Sequence, residues 1–145
     1  MTGYRSLPVV PDGPLAFRYR IRRLGALVGL VPAGLLAAGS YFALHDNTTT
    51  TRGVVGFAAA VLAAPALLAF GAPLATGSSK LVLAAAVSMF LWLAIGMVAA
   101  RRATRSPVAT WRDFWREFFW MAGGVWLGVV IALVVVQVTV GGALL

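Results

Sequence analysis

Four runs of this chain, residues 24–44, 54–79, 81–100 and 121–145, contain no Asp, Glu, Lys, Arg or His. A helix rises about 1.5 Å per residue and the hydrocarbon core of a bilayer is about 30 Å thick, so about 20 residues suffice to cross it. Each run reaches that length. The spacing predicts an all-α polytopic integral membrane protein, a four-helix transmembrane bundle with spans at about 24–44, 54–75, 81–100 and 121–143. Residues 24–145 then form one transmembrane domain, preceded by an arm at 1–23.

Composition supports this reading. Sixty-one per cent of residues are hydrophobic, 11 per cent are charged and mean hydropathy is +0.91. Soluble domains carry roughly 25 per cent charged residues. The chain has no cysteine, which removes disulfides, zinc–thiolate sites, cysteine-ligated clusters and cysteine palmitoylation. Its net charge of +8 comes from arginines and one lysine, Lys80. Those arginines flank apolar runs, where contact with anionic lipid accounts for them and nucleic acid is not an expected partner.

The arm begins with a Pro- and Gly-rich stretch, residues 1–14, followed at 15–23 by LAFRYRIRR, a basic segment with interleaved rings. A cleaved signal peptide is not expected, because the apolar run after it is longer than the 7–15 residues of a signal core. The first span carries Gly25 and Gly29 at GxxxG spacing, where small residues let a second helix approach closely. Pro32 is expected to kink it. Gly124 and Gly128 repeat the spacing in the last span, and Gln137 is that span's strongly polar side chain, expected to mark a packing face.

The connection at 45–53, HDNTTTTRG, reads as a turn with Asp46 or a threonine as helix cap. Its sequon at Asn47 is treated as incidental. His45 and Met97 are residue types that ligate haem, but a solvated histidine beside Asp46 is the simpler reading, and no cofactor or metal is expected. The second run is interrupted by Pro65, Gly71 and Pro73, which together make a candidate gate, since broken helices expose backbone groups to solutes in transporters. A proline-kinked span is the plainer expectation. Ser88 is expected to bond a carbonyl of its own helix.

Between the last two runs lies RRATRSPVATWRDFWREFFW, residues 101–120. Ser106 and Pro107 break the helix, and Thr110 is a cap for a new one. Trp111, Phe114, Trp115, Phe118 and Phe119 then recur at i, i+3, i+4, i+7 and i+8, which gathers them on one face opposite Arg112, Asp113, Arg116 and Glu117. The pattern predicts a short amphipathic interfacial helix at about 110–120, turning at Gly123 and Gly124 into the last span. Arg22, Arg23, Arg101, Arg102 and Arg105, with those five rings, are the expected membrane-interface residues.

Four crossings leave a conflict. With the N-terminus cytoplasmic, Arg5, Arg18, Arg20, Arg22, Arg23 and Lys80 fall on one side, and Arg52, Arg101, Arg102, Arg105, Arg112 and Arg116 on the other. The positive-inside rule then orients nothing. Partners or lipids holding the outer arginines, a re-entrant second segment, or insertion in both orientations would each resolve the tie.

The four runs offer no acid or base for general acid–base or nucleophilic chemistry, and no carboxylate to couple export to protons. No catalytic residue is expected. The expectation is a non-catalytic membrane protein, an accessory or assembly subunit of a larger complex or a self-associating bundle, whose partners are the bilayer with its anionic lipid and other subunits or itself. A small transporter or channel for a neutral or lipid-like solute is the alternative. Abundant alanine, valine and arginine with one lysine suggest a GC-rich prokaryotic genome and a plasma membrane.

Overall fold

The computed structural model describes residues 13–46, 48–71 and 77–142. Six helices make up the described chain: α1 (Pro14–Val28), α2 (Leu30–Leu44), α3 (Thr50–Ala63), α4 (Ala66–Ala69), α5 (Ser78–Ala103) and α6 (Trp111–Gly142). Helices α1 and α2 form one rod. Gly29 between them keeps helical angles, φ −62° and ψ −20°, and its N–H still donates to the Gly25 carbonyl at 2.9 Å. The interruption falls one turn ahead of Pro32, whose ring has no N–H for the Val28 carbonyl and crowds it.

Among the described residues, three helical stretches are long and apolar enough to cross a membrane: Leu15–Leu44, Ser78–Ala103 and Trp111–Thr139. The fourth expected span has a different form. Helix α3 has 14 residues, about 21 Å of rise against a core of about 30 Å. It stops at Ala64 because Pro65 offers no N–H to Val61, and the four-residue α4 follows. Pro73 and Asn47 lie outside the described residues.

The helices share a clear register. Gly25 lies against Ala100, and Gly29 against Gly96, so the rod and α5 run antiparallel. Phe114 reaches Gly25 and Phe118 reaches Gly29, so α6 runs parallel to the rod. Helix α3 turns back along α2, placing Gly56 against Ala43 and Leu44. Ile21, Trp92, Ala99, Phe114, Phe118 and Ala122 are buried together where α1, α5 and α6 meet.

Two expectations about the last helix are corrected. Helix α6 runs without interruption from Trp111 through Gly123 and Gly124, so no separate interfacial helix precedes the last span. A glycine costs about 1 kcal/mol in a helix, too little to end one whose apolar sequence continues for four more turns. The second correction concerns the rings: Phe114 and Phe118 are fully buried, packed on the glycines of α1 rather than turned toward acyl chains. Trp111 and Trp115 are half-buried, and Phe119 is exposed.

Candidate functional site: the broken segment and its indole clamp

The break at Pro65 releases backbone groups that a continuous helix would pair. With Pro65 in place and Leu67 N–H turned to the Ala64 carbonyl at 3.0 Å, the carbonyls of Val61, Leu62 and Ala63 lose their helical donors. An unpaired carbonyl in an apolar interior costs several kcal/mol by transfer scales. Side chains from two other helices supply donors to two of the three. The Trp92 indole N–H donates to the Ala63 carbonyl at 2.7 Å, and the Trp126 indole N–H donates to the Leu62 carbonyl at 3.2 Å. On the other side of the break, Ala66 N–H donates to Ser88 Oγ at 3.2 Å.

Ser88 is therefore corrected from its expected role. Its oxygen serves the neighbouring segment, one turn from Trp92 on the same face of α5 (i, i+4). Trp92 is buried and Ser88 is buried with it. The Trp92 ring also contacts Trp126 at 5.9 Å and Phe118 at 6.2 Å between centroids. The clamp thus continues the aromatic core of α6. A mid-span tryptophan was the available signal in the sequence, because an indole N–H in hydrocarbon requires an acceptor.

The candidate gate is consequently a bonded structure. Pro65 starts the break, and Gly71, at φ 82°, turns the chain after α4 in a conformation that glycine adopts without strain. A second polar tie anchors α3: Ser40 Oγ donates to the Gly56 carbonyl at 2.7 Å, and Arg52 donates to the Phe42 carbonyl at 2.7 Å.

The small-residue pairs fare unequally. A Cβ on Gly25 would stand 2.5 Å from the Ala100 Cβ, one on Gly29 2.8 Å from the Gly96 Cα, and one on Gly96 2.7 Å from the Gly25 carbonyl oxygen. Gly96 and Ala100 are themselves small residues four apart, the complement that the sequence reading passed over. Gly124 and Gly128 have open space where a Cβ would go, so they pack on nothing among the described residues. Gln137 is exposed. The α6 register carried onward brings it level with the α2–α3 connection, away from mid-span.

The arginines gather at one end. Because Gly25 meets Ala100 and Phe114, the basic start of α1 lies beside the end of α5 and the start of α6. Arg22, Arg23, Arg101, Arg102 and Arg105 are exposed there. Thr110 and Asp113 cap α6 reciprocally: Thr110 N–H and Oγ1 donate to Asp113 Oδ2 at 3.1 and 2.7 Å, and Asp113 N–H donates to Thr110 Oγ1 at 3.4 Å. Glu117 lies 3.9 Å from Arg102 and 3.7 Å from Arg116, and Asp113 lies 4.0 Å from Arg116.

His45 and Met97 do not approach one another. His45 ends α2, stacked on Tyr41 at 5.3 Å and 3.4 Å from Asp46, whereas Met97 follows Gly96 at the level of Gly29. A shallow open groove of about 450 Å³ beside Ala37, Ser40, Tyr41, Leu44 and His45 is lined by α2 and its C-cap. No family model matches the chain, and no curated protein and no solved structure matches it.

Proposed function

We propose that this chain is a non-catalytic integral membrane protein, an accessory or assembly subunit of a larger membrane complex or a self-associating bundle. The observation that carries this reading is how the interior polar groups are used. Trp92, Trp126, Ser88 and Ser40 are spent on backbone groups of the chain itself, and α1 meets α5 through glycine against glycine and alanine. Such an interior holds helices together. The outer face of α6, with Gly124 and Gly128 open and Leu127, Ile131, Val134 and Val138 exposed, is left for lipid or neighbouring helices.

Its setting on this reading is a prokaryotic plasma membrane, with anionic lipid and membrane-protein subunits or further copies as partners and nucleic acid excluded. Purification in gentle detergent followed by native mass measurement tests the proposal. Copurifying subunits or a defined oligomer are expected, and a strictly monomeric species without a partner overturns it.

The transporter alternative needs the break at Pro65 to offer free backbone groups to a solute. The indole and hydroxyl bonds to Leu62, Ala63 and Ala66 oppose that use. Solute flux in vesicles, abolished by Pro65→Ala, would restore the alternative.

A further inference from the structure

We infer that the chain crosses the bilayer three times, that α3 and α4 form a half-depth hairpin entered from the face opposite the arginines, and that the arginine-bearing end docks on the anionic headgroups of one leaflet. The inference rests on reading the chain as membrane-spanning and goes beyond it by fixing the topology and the end of the molecule that meets anionic lipid.

The register supplies the topology. Helix α3 starts at Thr50, just past the end of α2, and its Arg52 reaches the Phe42 carbonyl. It ends where Ala63 meets Trp92 and Ala66 meets Ser88. Those two side chains sit at the middle of α5, which extends from Ser78 to Ala103. From Ser88 to the arginine end of α5 is about 22 Å at 1.5 Å per residue, a distance that the described part of the segment never covers. The chain instead rejoins α5 at Ser78, the end of that helix remote from Arg101. Thr50 and Ser78 therefore share a face, and the described part of the segment between them descends only to mid-depth. Backbone that breaks at mid-depth is tolerated where protein satisfies it, as the indoles of Trp92 and Trp126 do.

Three crossings remove the charge conflict. Among the described residues, Arg18, Arg20, Arg22, Arg23, Arg101, Arg102, Arg105, Arg112 and Arg116 fall at one end, with Asp113 and Glu117 as the acids. The other end holds Arg52 and Lys80, with Asp46. So steep an asymmetry orients the chain with its arginines toward the cytoplasm. The arginines immediately adjoin the apolar spans, which sets them at headgroup depth, where phosphate diesters of anionic lipids are the complementary charge.

Single cysteines at exposed positions test the topology on the cysteine-free chain: Thr49→Cys, Ser79→Cys and Ser106→Cys, each probed in whole cells with a membrane-impermeant maleimide. Thr49 and Ser79 positions are expected to label in intact cells, and the Ser106 position only after permeabilisation. Labelling of the Thr49 and Ser106 positions from one side and Ser79 from the other means four crossings and overturns the inference, as does partial labelling of all three from both sides. Thr48→Cys and Ser78→Cys replace a variant that fails to accumulate. Alkaline carbonate extraction separates the two levels of failure, because release of the protein overturns the membrane reading itself. For the lipid partner, the protein is extracted from vesicles of mixed phosphatidylcholine and phosphatidylglycerol and its retained lipid is measured. Several-fold enrichment of phosphatidylglycerol, reduced by combined Arg101→Gln, Arg105→Gln and Arg112→Gln and insensitive to added inorganic phosphate, is expected. Retention of both lipids in the vesicle ratio overturns the docking, and loss on adding phosphate assigns the end to a free anion instead.

Discussion

Gly25 and Gly29 on α1 share a spacing with Gly124 and Gly128 on α6, yet their surroundings are opposite. The first pair lies so close to α5 that an added methyl group meets Ala100 or Gly96 within van der Waals radii. The second pair faces open space. The difference comes from the partner helix. Gly96 and Ala100 stand opposite the first pair, and Phe114 and Phe118 fill the flanks, whereas nothing in the described chain presents a small surface to Gly124 and Gly128. A GxxxG spacing provides a groove, and the facing sequence decides whether it is used.

Breaking the used contact gives the largest effect. Gly96→Leu forces a branched side chain onto the backbone of Gly25 and Ala26, whose carbonyl oxygens lie 2.7 and 3.0 Å from the Cβ position. Overpacking costs about 1–3 kcal/mol and occasionally more, and backbone obstacles put this variant at the upper end. Loss of the folded species is expected in detergent unfolding followed by tryptophan fluorescence. Gly25→Leu follows it closely. If either variant unfolds like the parent, the α1–α5 contact is not the core of the molecule.

Trp92→Phe comes next. It keeps most of the ring and removes the donor to Ala63, with an expected cost of about 1 kcal/mol, within the range for interhelical bonds in membranes. Limited proteolysis between α3 and α5 should accelerate while the helical circular dichroism holds. Thr110→Ala removes the cap of α6 for about 1 kcal/mol or somewhat less at this exposed site, read as a lower unfolding midpoint that Thr110→Ser restores.

Gly124→Leu sharpens the comparison from the other side. Stability of the isolated chain should change by less than about 0.5 kcal/mol, as expected for surface substitutions. The same substitution should reduce copurification of partner subunits or of a second copy. A large loss of monomer stability would show that the open face is packed within the chain after all.

How much of this was legible beforehand depends on what each residue's neighbours had to supply. Membrane class, helical content and the Gly25–Gly29 groove followed from local composition and spacing. The ring pattern of Trp111 to Phe119 correctly marked one helical face, but periodicity is blind to whether that face meets lipid or protein, and Phe114 and Phe118 went inward because α1 offers glycines there. Residues 54–75 read as a span because length was counted through Pro65. The groups that hold the broken end of α3, Trp92, Ser88 and Trp126, are distant from it in sequence. On the three-crossing inference, the tie between arginine clusters comes from counting that segment as a crossing.

The donor to the Leu62 carbonyl arrives 64 residues later in the chain. A ribosome releasing the chain from its N-terminus completes α3 and α4 well before Trp126 exists, so the hairpin spends that interval with one of its carbonyls unpaired or bonded to water. Closure of the hairpin in this sense waits until α6 has been made. It follows that a chain truncated before α6 should leave α3 exposed to membrane quality-control proteases, and pulse–chase degradation of such truncations, compared with the full chain, measures it. The Trp126 bond thus ties the finish of α3 to how far the chain has been made.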